Sequence, residues 1–112
     1  ISWSSQGRGF FVGRYTRDMW HSPPPDLDGF GRQMLRLYGS DDNYSRLQRA
    51  ETLGRESGGY TAMEVGLAWL LHRDLPIIPI VGPKAPDEMA SCINALSLEL
   101  TDEDVLSLDL RD

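Results

Sequence analysis

The chain has 112 residues, a formal net charge of -6 at pH 7 and one cysteine. Its length allows one small domain with a modest core, and its charge argues against nucleic acid or an anionic membrane as a main partner. The single cysteine excludes an internal disulfide framework and fits a reducing, cytoplasmic compartment, while no signal peptide and no apolar run of the ~20 residues of a membrane span is visible.

The first fifteen residues are predicted to begin as a strand and to continue as a loop. Trp3 is the large aromatic residue of the strand, and Arg8 and Arg14 lie between glycines. Such a loop either wraps around a planar, phosphate-bearing ligand or is a surface loop that follows a core tryptophan. Glycine recurs too often here for a regular element, at Gly7, Gly9 and Gly13.

Residues 16–29 are predicted to be a loop, because the prolines at 23–25 remove backbone donors and favour an extended path. Apolar residues at helical spacing predict a short helix near 28–38. A second helix over 40–57 begins at a capping serine or aspartate and carries an apolar stripe. The stripe consists of Tyr44, Leu47, Ala50 and Leu53.

A third helix is predicted over 61–73, where Thr61 and Glu64 form a capping box. His72 falls in its last turn, where a positive side chain suits the helix dipole. A catalytic role is the alternative for this histidine. A later capping signal, Thr101 with Asp104, predicts a short helix near the end of the chain.

Residues 75–89 are predicted to form a buried strand, a glycine turn and the start of a helix. The β-branched run at 77–81 is typical of a strand that is covered on both faces. Gly82 permits close approach of the backbone to a ligand, and Lys84 can meet a phosphate as a point charge. The alternative is an ordinary connection with a solvated lysine. The helix is expected to run from Pro86 to about residue 96. Its buried stripe is expected to consist of Met89, Cys92, Ile93 and Leu96.

The order strand, helices, strand, helix indicates an α/β fold with a parallel sheet. Two strands of four to six residues cannot form a self-sufficient sheet. Because the chain opens at Ile1 inside a predicted strand, we expect it to be a piece of a larger protein. Either the missing strands or a second copy of the chain would complete the sheet.

Sequence motifs for a self-contained active site are absent. The chain has no HExxH, CxxC, GxSxG or Walker P-loop pattern, and its two histidines lack neighbours at metal-ligand spacing. Cys92 is expected to be a small core residue rather than a nucleophile, because it has no basic neighbour in sequence. We therefore predict no catalytic residue and no metal site within these residues.

Three segments together resemble the aldo-keto reductase family. Residues 3–15, WSSQGRGFFVGRY, are similar to the family's WSPLGxGxLTGKY segment. Residues 61–71, TAMEVGLAWLL, are similar to its TxAQVALAWLL helix. Residues 78–89, IPIVGPKAPDEM, are similar to its IPIPGxxxPEQL cofactor segment. The segments occur in the family's order, and the resemblance covers nearly the whole chain.

The resemblance implies an α/β fold, in which the chain is a fragment of a (β/α)8 TIM barrel. Residues 1–112 would be the C-terminal part of the barrel domain, namely its last two βα units plus a C-terminal helix. Residues 1–5 would be strand seven and residues 77–81 strand eight of a barrel that needs ~250 residues. Residues 16–39 would form the variable loop region that shapes the substrate pocket.

The resemblance also implies a binding site for a nicotinamide dinucleotide. Trp3 matches the aromatic residue that stacks on the nicotinamide ring. Arg14 matches the basic residue that folds over the phosphates in some members. The loop along the pyrophosphate is matched by Ser4, Gln6, Gly7 and Arg8.

The second half of this implied site contacts the adenosine end of the cofactor. Gly82 and Lys84 match the turn at the adenosine ribose, where Lys84 would favour a 2′-phosphate and hence NADPH. Glu88 stands where the family usually has glutamine or arginine. Cys92 stands where an asparagine commonly meets the adenine.

The resulting functional prediction is the NADPH-binding C-terminal portion of a carbonyl-reducing oxidoreductase. The family's catalytic tetrad of Asp, Tyr, Lys and His belongs to segments outside this chain, which would be inactive alone. One alternative is a non-catalytic nucleotide-binding or protein-interaction module of the same fold. Another is an independent small domain that self-associates through open strand edges.

Overall fold

The computed structural model describes the whole chain, residues 1–112, and its regular structure is helical. Short 3₁₀ segments cover Gly7–Val12 and Ala95–Ser97. The α-helices are α1 (Arg17–His21), α2 (Gly29–Tyr38), α3 (Asp41–Glu56), α4 (Ala62–Leu71), α5 (Pro86–Asn94) and α6 (Asp102–Leu108). None of these helices combines the length and apolarity needed to cross a membrane.

The main core lies where α3 and α4 pack together, with α6 closing one side. The predicted apolar stripe of α3 is confirmed, because Tyr44, Leu47 and Ala50 are buried and Leu53 packs against them. From the N-terminal segment, Phe10 inserts its ring into this core. A smaller cluster of Tyr15, Met34 and Leu35 joins the start of the chain to α2.

The helices α4 and α6 begin at the capping residues that the sequence predicts. Thr61 Oγ1 accepts the backbone N–H of Glu64 at 3.2 Å, and the Glu64 carboxylate accepts the backbone N–H of Thr61 at 3.0 Å. Thr101 and Asp104 form the same reciprocal pair at α6. Each pair satisfies two otherwise free N–H groups of a helix start, so both predicted capping boxes are confirmed.

The predicted strands do not form a sheet. One parallel bridge joins Ser2 to Pro79, with the Ser2 N–H donating to Ile78 O at 2.9 Å and the Ile80 N–H donating to Ser2 O at 2.8 Å. Ser4, the next residue in register to pair, has a φ of 54°, so the N-terminal segment leaves the extended conformation there. The pairing therefore stops at a single bridge.

The α/β prediction, a fragment of a (β/α)8 barrel with strands at 1–5 and 77–81, is contradicted by this helical structure. The apolar run is not buried either, since Ile78 is 66% exposed and Ile80 is 51% exposed. A β-branched run indicates a buried strand only when other elements cover both of its faces. Here Ile77 and Val81 are half-buried on one face, while the face that carries Ile78 and Ile80 is open.

Two further local predictions are corrected. The expected loop at 16–29 contains the short helix α1, which Thr16 caps by accepting the Met19 N–H at 3.2 Å. In α5, Ile93 and the neighbouring Leu96 were expected on a buried stripe but are 56% and 69% exposed. The first error overlooked a local cap, whereas the second arose because the packing partners of a helix face are distant in sequence.

Candidate functional site

The two glycine segments, which are distant in sequence, meet at one cleft of about 420 Å³. Its volume lies within the range of pockets that hold small ligands. The predicted site residues that line the cleft are Gln6, Arg8, Arg14, Gly82, Lys84, Glu88 and Cys92. The structure therefore brings together seven residues from both predicted halves of the site.

The N-terminal wall of the cleft is shaped by left-handed backbone. Gly7 has a φ of 64°, and a Cβ placed there would lie 3.0 Å from the Phe10 Cβ. Gly7 is buried beneath the loop and is not part of the cleft lining. Its contribution is therefore to the turn that presents Arg8, rather than to a ligand contact.

Trp3 and Ser4 lie beside the cleft and contact Arg8. The Arg8 guanidinium carbon lies 4.7 Å from the centroid of the Trp3 ring, and Arg8 Nε donates to Ser4 Oγ at 3.3 Å. Trp3 is 70% exposed, so the interpretation of this residue as a core tryptophan is wrong. Cation–π stacking and the hydrogen bond together orient Arg8 at the cleft.

The opposite wall is the turn that leads into α5. The backbone N–H of Lys84 donates to Glu88 Oε2 at 2.6 Å, and Pro86 occupies the first turn of the helix. A Cβ placed on Gly82 would have no other residue within 4 Å. The backbone at Gly82 is thus open to a ligand. The hydrogen bond from Lys84 to Glu88 connects the turn to α5.

The charge of the cleft differs in sign from that of the chain. Arg8, Arg14 and Lys84 line it with a single carboxylate, Glu88, although the net charge of the protein is -6. A concentration of cations at a concave surface attracts anions such as phosphate. The family resemblance implied a common site for these residues, and they line one cleft in the structure.

One polar atom at this site lacks a partner. Gln6 Nε2 is buried and makes no hydrogen bond. Gln6 also lines the cleft. A buried amide nitrogen without an acceptor is uncommon, because it loses its hydrogen bonds to water without replacement.

A buried carboxylate fixes the helix that carries the second wall. Ser91 of α5 donates its hydroxyl to Glu64 Oε1 of α4 at 2.7 Å. Burial raises the pKa of Glu64, but hydrogen bonds from Ser91, the Thr61 backbone and Asn94 outweigh it and leave the pKa below its ordinary value. The ionised Glu64 side chain therefore connects α4 to α5.

Sequence reasoning missed part of the cleft. Phe30 comes from α2 and Met63 from the first turn of α4, and no spacing signal links either to the glycine segments. Cys92 is half-buried at the cleft instead of lying in the core. The other lining residues that were missed lie within two positions of predicted ones, namely Gly9, Val12, Val81 and Pro83.

Neither histidine belongs to the cleft. His72 follows the last residue of α4, where its N–H donates to Ala68 O at 2.9 Å, as the helix-end interpretation predicts. Its Nε2 lies 3.8 Å from Asp102 Oδ1. No three His, Cys, Asp or Glu side chains are grouped in a way that could hold a metal ion.

Comparison with known proteins identifies relatives along almost the whole chain. The model of the Aldo/keto reductase family matches residues 1–110. Norsolorinic acid reductase stcV of Emericella nidulans is 25% identical over 108 residues, which is 96% of this chain and 24% of that protein. Aldo-keto reductase yakc [NADP(+)] of Schizosaccharomyces pombe is 27% identical over 107 residues, 94% of this chain and 30% of that protein.

The chain thus spans less than a third of the length of these curated relatives. Among solved structures, no match to it is found.

Proposed function

Because the chain belongs to the aldo/keto reductase family, we propose that it is the NADPH-binding C-terminal portion of a carbonyl-reducing oxidoreductase. The observation that carries this proposal is the cleft in which the two glycine segments converge. The name of the fission yeast relative includes NADP(+), which supports the same cofactor.

The residues of the cleft fit a dinucleotide with several phosphates. Arg8, Arg14 and Lys84 supply positive charge, and the open backbone at Gly82 allows close approach. The unpartnered amide of Gln6 supplies a free donor. Each feature matches a need of a phosphorylated ligand: charge compensation, close backbone contact and hydrogen-bond donors.

The roles of individual residues follow from this placement. Trp3 would stack on the nicotinamide ring, with Ser4 holding Arg8 at the pyrophosphate. Lys84 would meet the 2′-phosphate, and Cys92 would lie near the adenine. The chemistry that bound NADPH would supply is a hydride for a carbonyl carbon, and the proton would have to come from groups that this chain does not contain. Residues 16–39, which include Phe30 at the cleft, would shape the carbonyl pocket.

The test is a titration of the protein with NADP⁺ and NAD⁺, followed by Trp3→Ala and Lys84→Ala. We expect Trp3→Ala to weaken both ligands roughly tenfold, since it removes a stacking surface. Lys84→Ala should weaken NADP⁺ about tenfold and NAD⁺ much less, because only NADP⁺ carries the 2′-phosphate.

The matched control is Arg55→Ala, which removes an exposed cation at the end of α3, outside the cleft. Its NADP⁺ affinity should equal that of the wild type. Unchanged NADP⁺ affinity in both Trp3→Ala and Lys84→Ala would reject the assignment of the site.

A further inference from the structure

The orphaned amide of Gln6 distinguishes this cleft from an ordinary loop. The family segment that this loop resembles has leucine at the matching position, so a polar side chain is not required there to form the turn. Gln6 Nε2 nevertheless lies buried without an acceptor. An apolar residue of similar size would avoid this loss of hydrogen bonding.

The position of Gln6 shows which acceptor is suited to its amide. Gln6 lines the same cleft as Arg8, Arg14 and Lys84. Among these cations a ligand oxygen with negative charge is favoured over a neutral carbonyl. Because Nε2 has no partner, rotation of the terminal amide towards a ligand breaks no hydrogen bond within the protein.

We infer that Gln6 is a ligand-contacting residue whose amide N–H donates to a phosphate oxygen of the bound dinucleotide. This inference rests on the proposed function and adds a donor that the family motif does not supply. Without ligand, the amide destabilises the fold; with ligand, it contributes to affinity. Gln6 therefore acts on stability and on binding in opposite directions.

The experiment compares wild-type protein with Gln6→Met, which keeps the length of the side chain and removes its donor. We expect Gln6→Met to bind NADP⁺ roughly tenfold more weakly, because a hydrogen bond to a charged group is lost. Its urea unfolding midpoint, measured without ligand, should equal or exceed that of the wild type. Inorganic pyrophosphate should compete with NADP⁺ less effectively in Gln6→Met than in the wild type.

A second variant, Gln6→Glu, keeps the shape of the side chain and adds a negative charge. It should bind NADP⁺ more weakly than Gln6→Met, because a carboxylate repels phosphate. A wild type that fails to bind NADP⁺ would overturn the proposed function and this inference together. Normal wild-type binding with equal affinity in Gln6→Met would overturn the inference alone. Weaker binding by Gln6→Met together with a lower unfolding midpoint would show a structural role and would also overturn it.

Discussion

Gly54 lies where α3 approaches the residue that leads into α4. A Cβ at this position would lie 2.2 Å from the carbonyl oxygen of Tyr60, whose own N–H donates to Gly54 O at 2.9 Å. Both groups are backbone, so neither can move aside without shifting the start of α4. Only glycine therefore fits at position 54, because the packing leaves no room for a side chain.

We predict that Gly54→Ala lowers the free energy of unfolding by about 1–3 kcal/mol, as for other overpacked core sites. Chemical denaturation monitored by circular dichroism measures this change. Gly29→Ala is the matched control, because a Cβ at Gly29 meets nothing within 4 Å. That variant should be neutral or slightly more stable. Equal stability of the two variants would contradict the packing argument.

Glu88 is the one carboxylate that lines the cleft. It accepts the N–H of Lys84, in the turn where we propose that the 2′-phosphate binds. Glu88→Gln keeps an acceptor for that N–H and removes the negative charge. We expect this variant to bind NADP⁺ about three- to tenfold more tightly, with a smaller change for NAD⁺.

Isothermal titration calorimetry at fixed ionic strength measures this effect. Asp87→Asn provides the control, since it makes the same charge change one residue earlier, outside the cleft lining. An equal gain in NADP⁺ affinity for Asp87→Asn would indicate a general charge effect and would contradict a specific effect of Glu88 at the turn.

At the scale of elements, the packing of α5 depends on one polar connection to α4. The outward side of α5 is exposed at Met89 and Ile93, which are 43% and 56% accessible. The hydrogen bond from Ser91 to the buried Glu64 therefore holds a helix that has little apolar support. Because α5 carries Glu88 and Cys92 at the cleft, this connection also positions one wall of the site.

The titration of Glu64 predicts a pH-dependent stability. Its pKa in the folded protein lies below the ordinary value of 4.5, so folding favours the ionised form. This contribution is complete above pH 4.5 and is lost as the pH falls through the lowered pKa. Glu64→Gln should therefore lower the free energy of unfolding by roughly 1 kcal/mol at neutral pH. In acid, its free energy of unfolding should lie closer to that of the wild type.

Urea unfolding between pH 3 and pH 7 tests this prediction. Glu56→Gln removes an exposed carboxylate at the end of α3 and should follow the wild-type profile. A loss of unfolding free energy in Glu64→Gln that stayed constant down to pH 3 would contradict a stabilising role of ionised Glu64.

At the scale of the whole molecule, one surface combines exposed apolar side chains with a free backbone edge. The Ser2–Pro79 bridge carries side chains that are largely exposed, including Ile1 at 88%, Trp3 at 70% and Ile78 at 66%. A bridge with free backbone edges and apolar side chains is a template for further pairing. Apolar side chains are also exposed on the helices, for example Leu37 and Ile93, but there the backbone makes its hydrogen bonds within the helix.

We predict that the isolated 112-residue chain self-associates at micromolar concentration. Size-exclusion chromatography with light scattering should give a mass above the 12.6 kDa of one chain. The double variant Ile78→Lys and Ile80→Lys should shift the mass towards the monomer, because charge on an edge opposes pairing. Leu106→Lys, at an exposed site on α6, should leave the association unchanged. A monomeric wild-type chain would contradict the prediction.

Much of the local structure follows from the sequence alone. The capping boxes at Thr61 and Thr101, and the stripe of α3, depend on residues within a few positions of each other, so pattern and chemistry are sufficient. The family could likewise be recognised from three short motifs, because each keeps its residue types and its order.

The tertiary structure decided those features that depend on residues distant in sequence, namely strand pairing, side-chain exposure and the composition of the cleft. A strand exists only when another strand hydrogen-bonds to it, and the 77–81 run finds one bridge instead of a ladder. The same dependence explains the exposure of Trp3 and the unpartnered amide of Gln6. Convergence of the cations at one cleft was decided by the fold, because no spacing rule relates Arg8 to Lys84 across the helices between them.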